Sequence, residues 1–264
     1  MRVFITGHKG FIGKNFIKTL PSEWCLSMFD IQDNPDARPT NFALEDRNLD
    51  AVIHLGAISS TTETNIQKVM DQNLSWSIEL ADICRKNDIL FQFASSASVY
   101  GNSDMVMRES NTCRPLNIYA QSKYLFEQYL LTQDKDFIWQ AFRYFNVYGR
   151  HEQHKGSQAS PFTQFSKQAK ETGVIKVFEG SEHYYRDFIH VDDVVDTHMK
   201  MLNKYQSGIF NVGSGKPRSF MDVAKDVAVA YNAEIETIPF PEHLKEHYQY
   251  YTCADTTKLD AILL

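Results

Sequence analysis

Three glycines spaced three residues apart limit what this chain can fold into more than any other feature. Gly7, Gly10 and Gly13 stand in Thr6-Gly-His-Lys-Gly-Phe-Ile-Gly13. Before them, Arg2 to Thr6 is a short apolar run that predicts a buried strand. After them, Phe11, Ile12, Phe16, Ile17 and Leu20 recur at helical spacing until Pro21 stops the pattern. A strand that turns through glycine straight into a helix is the setting a dinucleotide fingerprint requires. Glycine permits the tight turn and lets backbone N–H groups approach a pyrophosphate, which then rests on the helix N-terminus. Met alone, a glycine triplet is also compatible with an ordinary strand-to-helix turn.

Strands and helices alternate from there. Cys25 to Asp30, Ala51 to Leu55, Ile89 to Ala94 and Phe137 to Phe142 read as strands, and Asn65 to Lys86 and Leu116 to Leu131 as helices. Residues 31 to 49 are polar and broken by proline, with at most a brief strand near Asn41 to Leu44. Such alternation predicts an α/β fold with a parallel, doubly wound (Rossmann) sheet. Beyond residue 150 helices and short strands mix. The expected organisation is a dinucleotide-binding domain over 1–150 and a smaller mixed α/β substrate lobe over 151–264, the two interleaved. Ligands of such sheets bind outside the carboxyl ends of the strands. Asp30, Leu55, Ser96 and Asn146, all at predicted strand ends, are therefore expected to converge on one crevice.

Composition excludes several classes. With 264 residues, 43% of them hydrophobic, the chain can bury a sizeable core. A net charge of -6 without a basic block argues against nucleic acid or an anionic membrane as the main partner. No apolar run approaches the roughly 20 residues a membrane span needs. The N-terminus runs directly into the glycine loop and does not read as a signal peptide. Cys25, Cys84, Cys113 and Cys253 are scattered, with no Cys-x-x-Cys, which predicts reduced thiols in a cytoplasmic protein and no zinc site. Val191-Asp-Asp-Val194 reads as a helix start with Asp192 near the positive end of the dipole, so no metal site is expected.

The chemistry is carried by Tyr119-Ala-Gln-Ser-Lys123 and, upstream, Ala94-Ser-Ser96-Ala-Ser-Val-Tyr-Gly101. Side chains at i and i+4 share one helix face. A lysine ammonium beside a phenol favours the phenolate and is expected to lower a pKa that is ordinarily near 10. Such a group takes a proton from a sugar hydroxyl. The spacing also arises by chance on amphipathic helices; the glycine loop before it and Ser96 give it meaning. Asp30, closing the second strand, speaks for NAD through the adenosine ribose. Lys9, inside the loop, speaks for the 2′-phosphate of NADP or is simply a solvated lysine.

With these segments in this order, the chain resembles the extended short-chain dehydrogenase/reductase superfamily of nucleotide-sugar epimerases, dehydratases and reductases. Further segments are similar to the ADP-glyceromanno-heptose 6-epimerases: His54-Leu-Gly-Ala-Ile-Ser-Ser-Thr-Thr-Glu63, Arg143-Tyr-Phe-Asn-Val-Tyr-Gly149, His154-Lys-Gly-Ser-Gln-Ala-Ser160, Phe178-Glu-Gly-Ser181, Arg186-Asp-Phe188 and Ile238-Pro-Phe-Pro241. The likeness runs from residue 2 to about residue 258. It implies an enzyme that inverts a sugar carbon by transient oxidation and re-reduction on a tightly held nicotinamide, in the family's case on the ADP-heptose of lipopolysaccharide core.

The resemblance also implies roles. Tyr119 is the acid/base, Lys123 tunes it and holds the nicotinamide ribose, and Ser96 bonds the substrate oxygen. Lys155 is a second acid/base on the opposite face, or else a phosphate clamp. Asn146, Ser157, Gln164, Phe178, Glu179, Gly180, Ser181, Arg186 and Tyr248 fall where the family contacts the nucleotide sugar. Gly7, Lys9, Gly10, Phe11, Ile12, Gly13, Asp30, Leu55, Gly56, Ala57, Ile58, Ser59, Asn73 and Val147 fall where it contacts cofactor. The implied cofactor is NADP, with NAD the alternative, and the implied assembly a homo-oligomer.

Two departures stand against the resemblance. Residues 31 to 50 are shorter than in the family and leave Arg38 as a poor substitute for its adenosine-phosphate cations. The chain also ends before the family's last helix would, so the lobe is expected to be either compact or C-terminally truncated. Two rivals remain. One is a 4-epimerase or reductase of a GDP-, UDP- or CDP-sugar; the other is a dinucleotide-binding sensor without chemistry, which predicts a broken Ser–Tyr–Lys set.

Overall fold

The computed structural model describes residues 1–35, 37–42, 48–242 and 249–264. The main sheet begins with β1 (Arg2–Thr6), followed by α1 (Phe11–Thr19), β2 (Cys25–Phe29) and β3 (Ala51–His54). Next comes a long helical stretch, α2 (Ile66–Met70) and α3 (Trp76–Lys86), joined by a π-turn over Asp71–Ser75. Then follow β4 (Leu90–Ser96), α4 (Ile118–Leu131), β5 (Trp139–Tyr144) and, after a break at Phe145, β6 (Asn146–Tyr148). The remainder is α5 (Pro161–Thr172), β7 (Val174–Phe178), β8 (Tyr185–His190), α6 (Val191–Met201), β9 (Gly208–Val212), β10 (Pro217–Ser219), α7 (Phe220–Tyr231), β11 (Glu234–Ile238) and α8 (Thr257–Leu263).

Six parallel strands form the central sheet in the order β2-β1-β3-β4-β5-β9. The doubly wound α/β fold read from the sequence is the observed one. Strand alternation sends side chains to opposite faces. Phe4, Val52, Phe91 and Phe93 pack with Leu80 and Cys84 of α3 and Phe126 and Leu130 of α4. Val3, Ile5, Ala51 and Ile53 pack on the other face with Phe16 of α1, Val195 of α6 and Leu202 just after it. Both faces are thus covered, as a parallel sheet requires.

Beyond β5 the chain builds a three-stranded sheet, β10-β8-β6, and a parallel pair, β11-β7. Helices α5 and α7 close over these strands around Phe165, Val177, Phe188 and Val223. Local signals explain the helices here. Ser160 accepts from the Thr163 N–H with Pro161 at the first helical position, and Gly173 ends α5 at φ +71°. Ser219 and Asp222 form a reciprocal capping box on α7. Between them, β9 returns to the edge of the main sheet, so residues after 150 contribute to both layers.

The brief strand expected near Asn41 to Leu44 is absent from the described part of that segment. Residues Pro39–Phe42 form a 3-10 turn instead, consistent with Pro39 lacking a backbone donor; Leu44 and Tyr248 lie outside the described residues. No helix of the described residues is long and apolar enough to cross a membrane.

Candidate active site

A cavity of about 420 Å³ opens at the carboxyl ends of β1 to β5. Gly7, Gly10, Phe11, Ile12 and Gly13 form one wall, and Leu55, Gly56, Ala57, Ile58 and Ser59 the next. Asp30, Tyr119, Lys123 and Lys155 also face it. The glycines are required by space as well as by turn geometry. Gly7 has φ +73°, and a Cβ there would stand 2.6 Å from the Gly56 backbone; one on Gly13 would stand 2.2 Å from the Gly7 carbonyl oxygen. Backbone N–H groups at the start of α1 are thus left open to an approaching pyrophosphate, and the cradle fits a dinucleotide.

A directed hydrogen-bond chain ties the cradle to α4. The Gly56 N–H donates to the Thr6 hydroxyl (3.0 Å), which bonds His54 Nδ1 (2.6 Å). His54 Nε2 bonds the Ser77 hydroxyl (2.8 Å), which donates to the Asn73 carbonyl (2.7 Å). With Ser77 donating onward, His54 carries its proton on Nε2 and accepts at Nδ1. Burial, then the Lys123 charge, lowers the His54 pKa to about 3, so the ring stays neutral. The Asn73 amide donates to Ser122 Oγ (3.1 Å), which donates to the Tyr119 carbonyl (2.7 Å).

Asn73 was expected at the cofactor but does not line the cavity. It sits in the π-turn, fully buried, and grips the Ile58 backbone from behind: the Ile58 N–H donates to its Oδ1 (2.8 Å) and its amide donates to the Ile58 carbonyl (3.0 Å). It is therefore a positioning residue for the loop after β3. Asn73→Ala is expected to weaken dinucleotide binding roughly tenfold, the worth of one or two buried hydrogen bonds. Titration calorimetry with the dinucleotide checks this; an unchanged affinity would remove Asn73 from the site's support.

Asn117 caps α4 by accepting the Ala120 N–H (2.9 Å) and so sets the register that presents Tyr119 and Lys123 together. The Lys123 ammonium, 2% exposed, donates to the Ala94 carbonyl (2.7 Å) and lies 4.4 Å from the Phe93 ring centre. Burial lowers its pKa to about 7, and Glu127, one turn further on, opposes that shift. The expectation that Lys123 would pull the phenol pKa down does not hold here. The Tyr119 pKa is raised by desolvation, opposed by a hydrogen bond with Ser96. The reason is geometric: the ammonium is turned to a strand carbonyl, 6.0 Å from the phenol ring centre.

Lys155 reaches the cavity from the 3-10 turn Gln153–Gln158 and places its ammonium 5.4 Å from the Phe11 ring centre. Burial lowers its pKa, opposed by Glu152. Glu152 is buried and anchors this turn to α5, accepting from the Ser160 N–H (2.7 Å), the Ser160 hydroxyl (2.6 Å) and the Thr163 hydroxyl (2.7 Å).

Other expected residues lie away from this cavity. Ser96 bonds Tyr119 from the last position of β4 and accepts from Ser98 Oγ (2.9 Å), while Ser95 lines the wall. Val147, like Ile12 and Leu55, packs against the buried cluster around Phe142 and Phe210, and Asn146 is exposed at the start of β6. The Ser157 carbonyl accepts from Gln164 Nε2 (3.1 Å), so these two brace the Lys155 turn. Phe178 lies tilted against Phe240 (ring centres 5.3 Å apart), Glu179 is exposed, Gly180 has φ +80°, and Ser181 is buried with no partner for its hydroxyl among the described residues. The Arg186 guanidinium lies 5.4 Å from the Phe220 ring centre and donates to the Tyr185 carbonyl (2.9 Å). Lys9 pairs with Asp33. Asp192 lies in the first turn of α6, as expected, and among the described residues no group of three His, Cys, Asp or Glu is placed to hold a metal ion.

Lys68, Gln72 and Trp76 also line the cavity and escaped the sequence reading. Their spacing of four residues along one helical pattern was the available signal.

A glycine-cradled doubly wound sheet whose helix α4 presents tyrosine and lysine to the same cavity defines an extended short-chain dehydrogenase/reductase. The chain belongs to the NAD dependent epimerase/dehydratase family, whose model matches residues 3–213. It is similar in structure to ADP-L-glycero-D-manno-heptose-6-epimerase of Helicobacter pylori, at 25% identity and TM-score 0.87 over 99% of this chain and 89% of that one. UDP-N-acetylglucosamine 4-epimerase of Methanobrevibacter ruminantium, in complex with UDP-N-acetylmuramic acid, shares the fold at 23% identity and TM-score 0.87, over 99% and 91%. UDP-glucose 4-epimerase of Thermus thermophilus, in complex with NAD, shares it at 24% identity and TM-score 0.83, over 99% and 92%.

Proposed function

We propose that the protein is a nucleotide-sugar epimerase that inverts a carbinol carbon by transient oxidation, with an ADP-heptose as the favoured substrate. The observation that carries this reading is the presence of two ionisable groups of shifted pKa, Tyr119 and Lys155, in the wall of the cavity that holds the glycine cradle. Gly7, Gly10 and Gly13 would hold the dinucleotide pyrophosphate, and Lys123 its nicotinamide ribose. A nicotinamide held there would supply the hydride acceptor and donor for the sugar carbon.

Tyr119 receives the hydroxyl proton on one face, steadied by the Ser96 hydrogen bond. Lys155 handles the proton of the opposite epimer; burial brings its pKa toward the operating range. The turn at Phe178, Glu179, Gly180 and Ser181, together with Arg186, is the proposed nucleotide end. The unpartnered Ser181 hydroxyl supports that assignment, and a guanidinium suits pyrophosphate. The proposed division remains a dinucleotide domain over 1–150 and a substrate lobe over 151–264, and the cytoplasm is the proposed compartment.

One observation favours a second reading, a UDP- or GDP-sugar 4-epimerase. Lys155 stands over Phe11, directly after the cradle, where a lysine also serves as a phosphate clamp. A panel of ADP-heptose, UDP-hexose and GDP-hexose, followed by chromatography of the epimers, separates the two. Conversion of ADP-heptose alone is expected; conversion of a UDP-hexose at C4 in its place would overturn the heptose assignment.

A further inference from the structure

We infer that Asp33 makes this an NAD site and discriminates against NADP by occupying Lys9. The inference rests on the dinucleotide reading of the cradle. The two cofactors differ by a phosphate on the adenosine 2′ oxygen, which in this fold lies at the end of the second strand.

The end of β2 is organised by Asp30, 5% exposed. One of its carboxylate oxygens accepts the Lys9 N–H (3.0 Å) and the other the Gln32 N–H (3.0 Å), which clasps the glycine loop to the strand exit. Each oxygen keeps capacity for a ribose hydroxyl. The Asp33 N–H then donates to the Asp30 carbonyl (2.9 Å), turning the chain back over the loop. That turn brings the Asp33 carboxylate onto the Lys9 ammonium and to 3.5 Å from His8 Nε2.

Lys9 read from sequence as a ligand for a 2′-phosphate. Its ammonium is matched by Asp33 instead. With Asp30 and Asp33 at one negative charge each and Lys9 at one positive, the three sum to one negative charge. An added dianion meets net repulsion there and must displace an existing ion pair. Arg38 offers no relief, since it pairs with Glu79 (2.5 Å). Among the described residues, Lys68 on the α2 wall is the rival cation; were it to hold the phosphate, the unaltered protein would prefer NADP. At roughly 6 Å in water, a dianion and a unit charge repel enough to change affinity about tenfold.

The test is equilibrium dialysis of the full chain against equal NAD and NADP, with both dinucleotides released and quantified. The unaltered protein is expected to hold NAD over NADP by about tenfold or more, Asp33→Asn to shift that ratio about tenfold toward NADP, and Lys9→Met added to Asp33→Asn to remove the gain. Higher salt should narrow the shift, because the pair is at the rim. An unchanged thermal midpoint shows that the variants fold, as removal of an exposed pair should allow. Preference for NADP in the unaltered protein, or an Asp33→Asn ratio that does not move, overturns the inference. Failure to bind either dinucleotide overturns the cradle reading along with it, and is distinct from a ratio that stays put.

Discussion

Tyr119→Phe is expected to lower turnover by roughly 10²–10⁴-fold while leaving dinucleotide binding intact. The change removes one oxygen. The ring still fills its place on α4, and the helix keeps its Asn117 cap and the Ser122 bond to the Tyr119 carbonyl. Lys123 keeps its own bond to the Ala94 carbonyl, so the proposed ribose site survives. What disappears is the proposed proton acceptor, together with the hydrogen bond with Ser96 that opposes its raised pKa. A single-turnover assay separates the effects: the rate constant should fall and the dinucleotide dissociation constant should not. Activity within a few-fold of the unaltered enzyme would show that Tyr119 is not the acid/base.

Arg143→Met is expected to destabilise the fold by about 3–5 kcal/mol, measured as a lower urea midpoint. Arg143 is 2% exposed and Glu127 is fully buried; their pairing is bidentate, at 3.0 Å through Nε and 2.6 Å through the guanidinium tip. Ser95 donates a further hydrogen bond to the same carboxylate (2.5 Å), and Tyr100 presents its ring 4.6 Å from the guanidinium. The substitution therefore strands a buried carboxylate. The consequence reaches the site, since Glu127 is the group that opposes the downward shift of Lys123. Adding Glu127→Leu to Arg143→Met should recover much of the lost stability, because a buried pair replaced by apolar side chains costs little. A loss below about 1 kcal/mol for the single change would show that water reaches Glu127.

These expectations rest partly on features legible in the chain and partly on features that were not. The glycine loop announced β1, α1 and the cradle because only a residue without Cβ fits beside the Gly56 backbone. Tyr119 and Lys123 were legible through helical spacing. The direction of the Tyr119 pKa was not, because spacing does not reveal that the ammonium turns to Ala94. The π-turn was hidden as well: the apolar pattern over Asn65 to Lys86 reads as one helix, and one extra residue in a turn leaves that pattern nearly intact. Short strands escaped for a related reason. β6 and β10 span three residues each, too few for a period to show, and β11 alternates Glu234, Ile235 and Glu236 on a pair outside the main sheet. Lys9 shows the limit most plainly. Its position suggested a phosphate ligand, and its partner, Asp33, lies two dozen residues on, across a turn that only the fold brings back.

The most direct test of the central claim, inversion through transient oxidation, follows ADP-heptose by proton NMR in D2O with catalytic enzyme. Hydride that leaves the carbon and returns from the bound nicotinamide never exchanges with solvent. The epimer is expected to accumulate with its carbinol hydrogen fully protiated and with no net reduction of the cofactor. Deuterium at that carbon, or epimerisation that continues after the dinucleotide has been stripped from the protein, would contradict it.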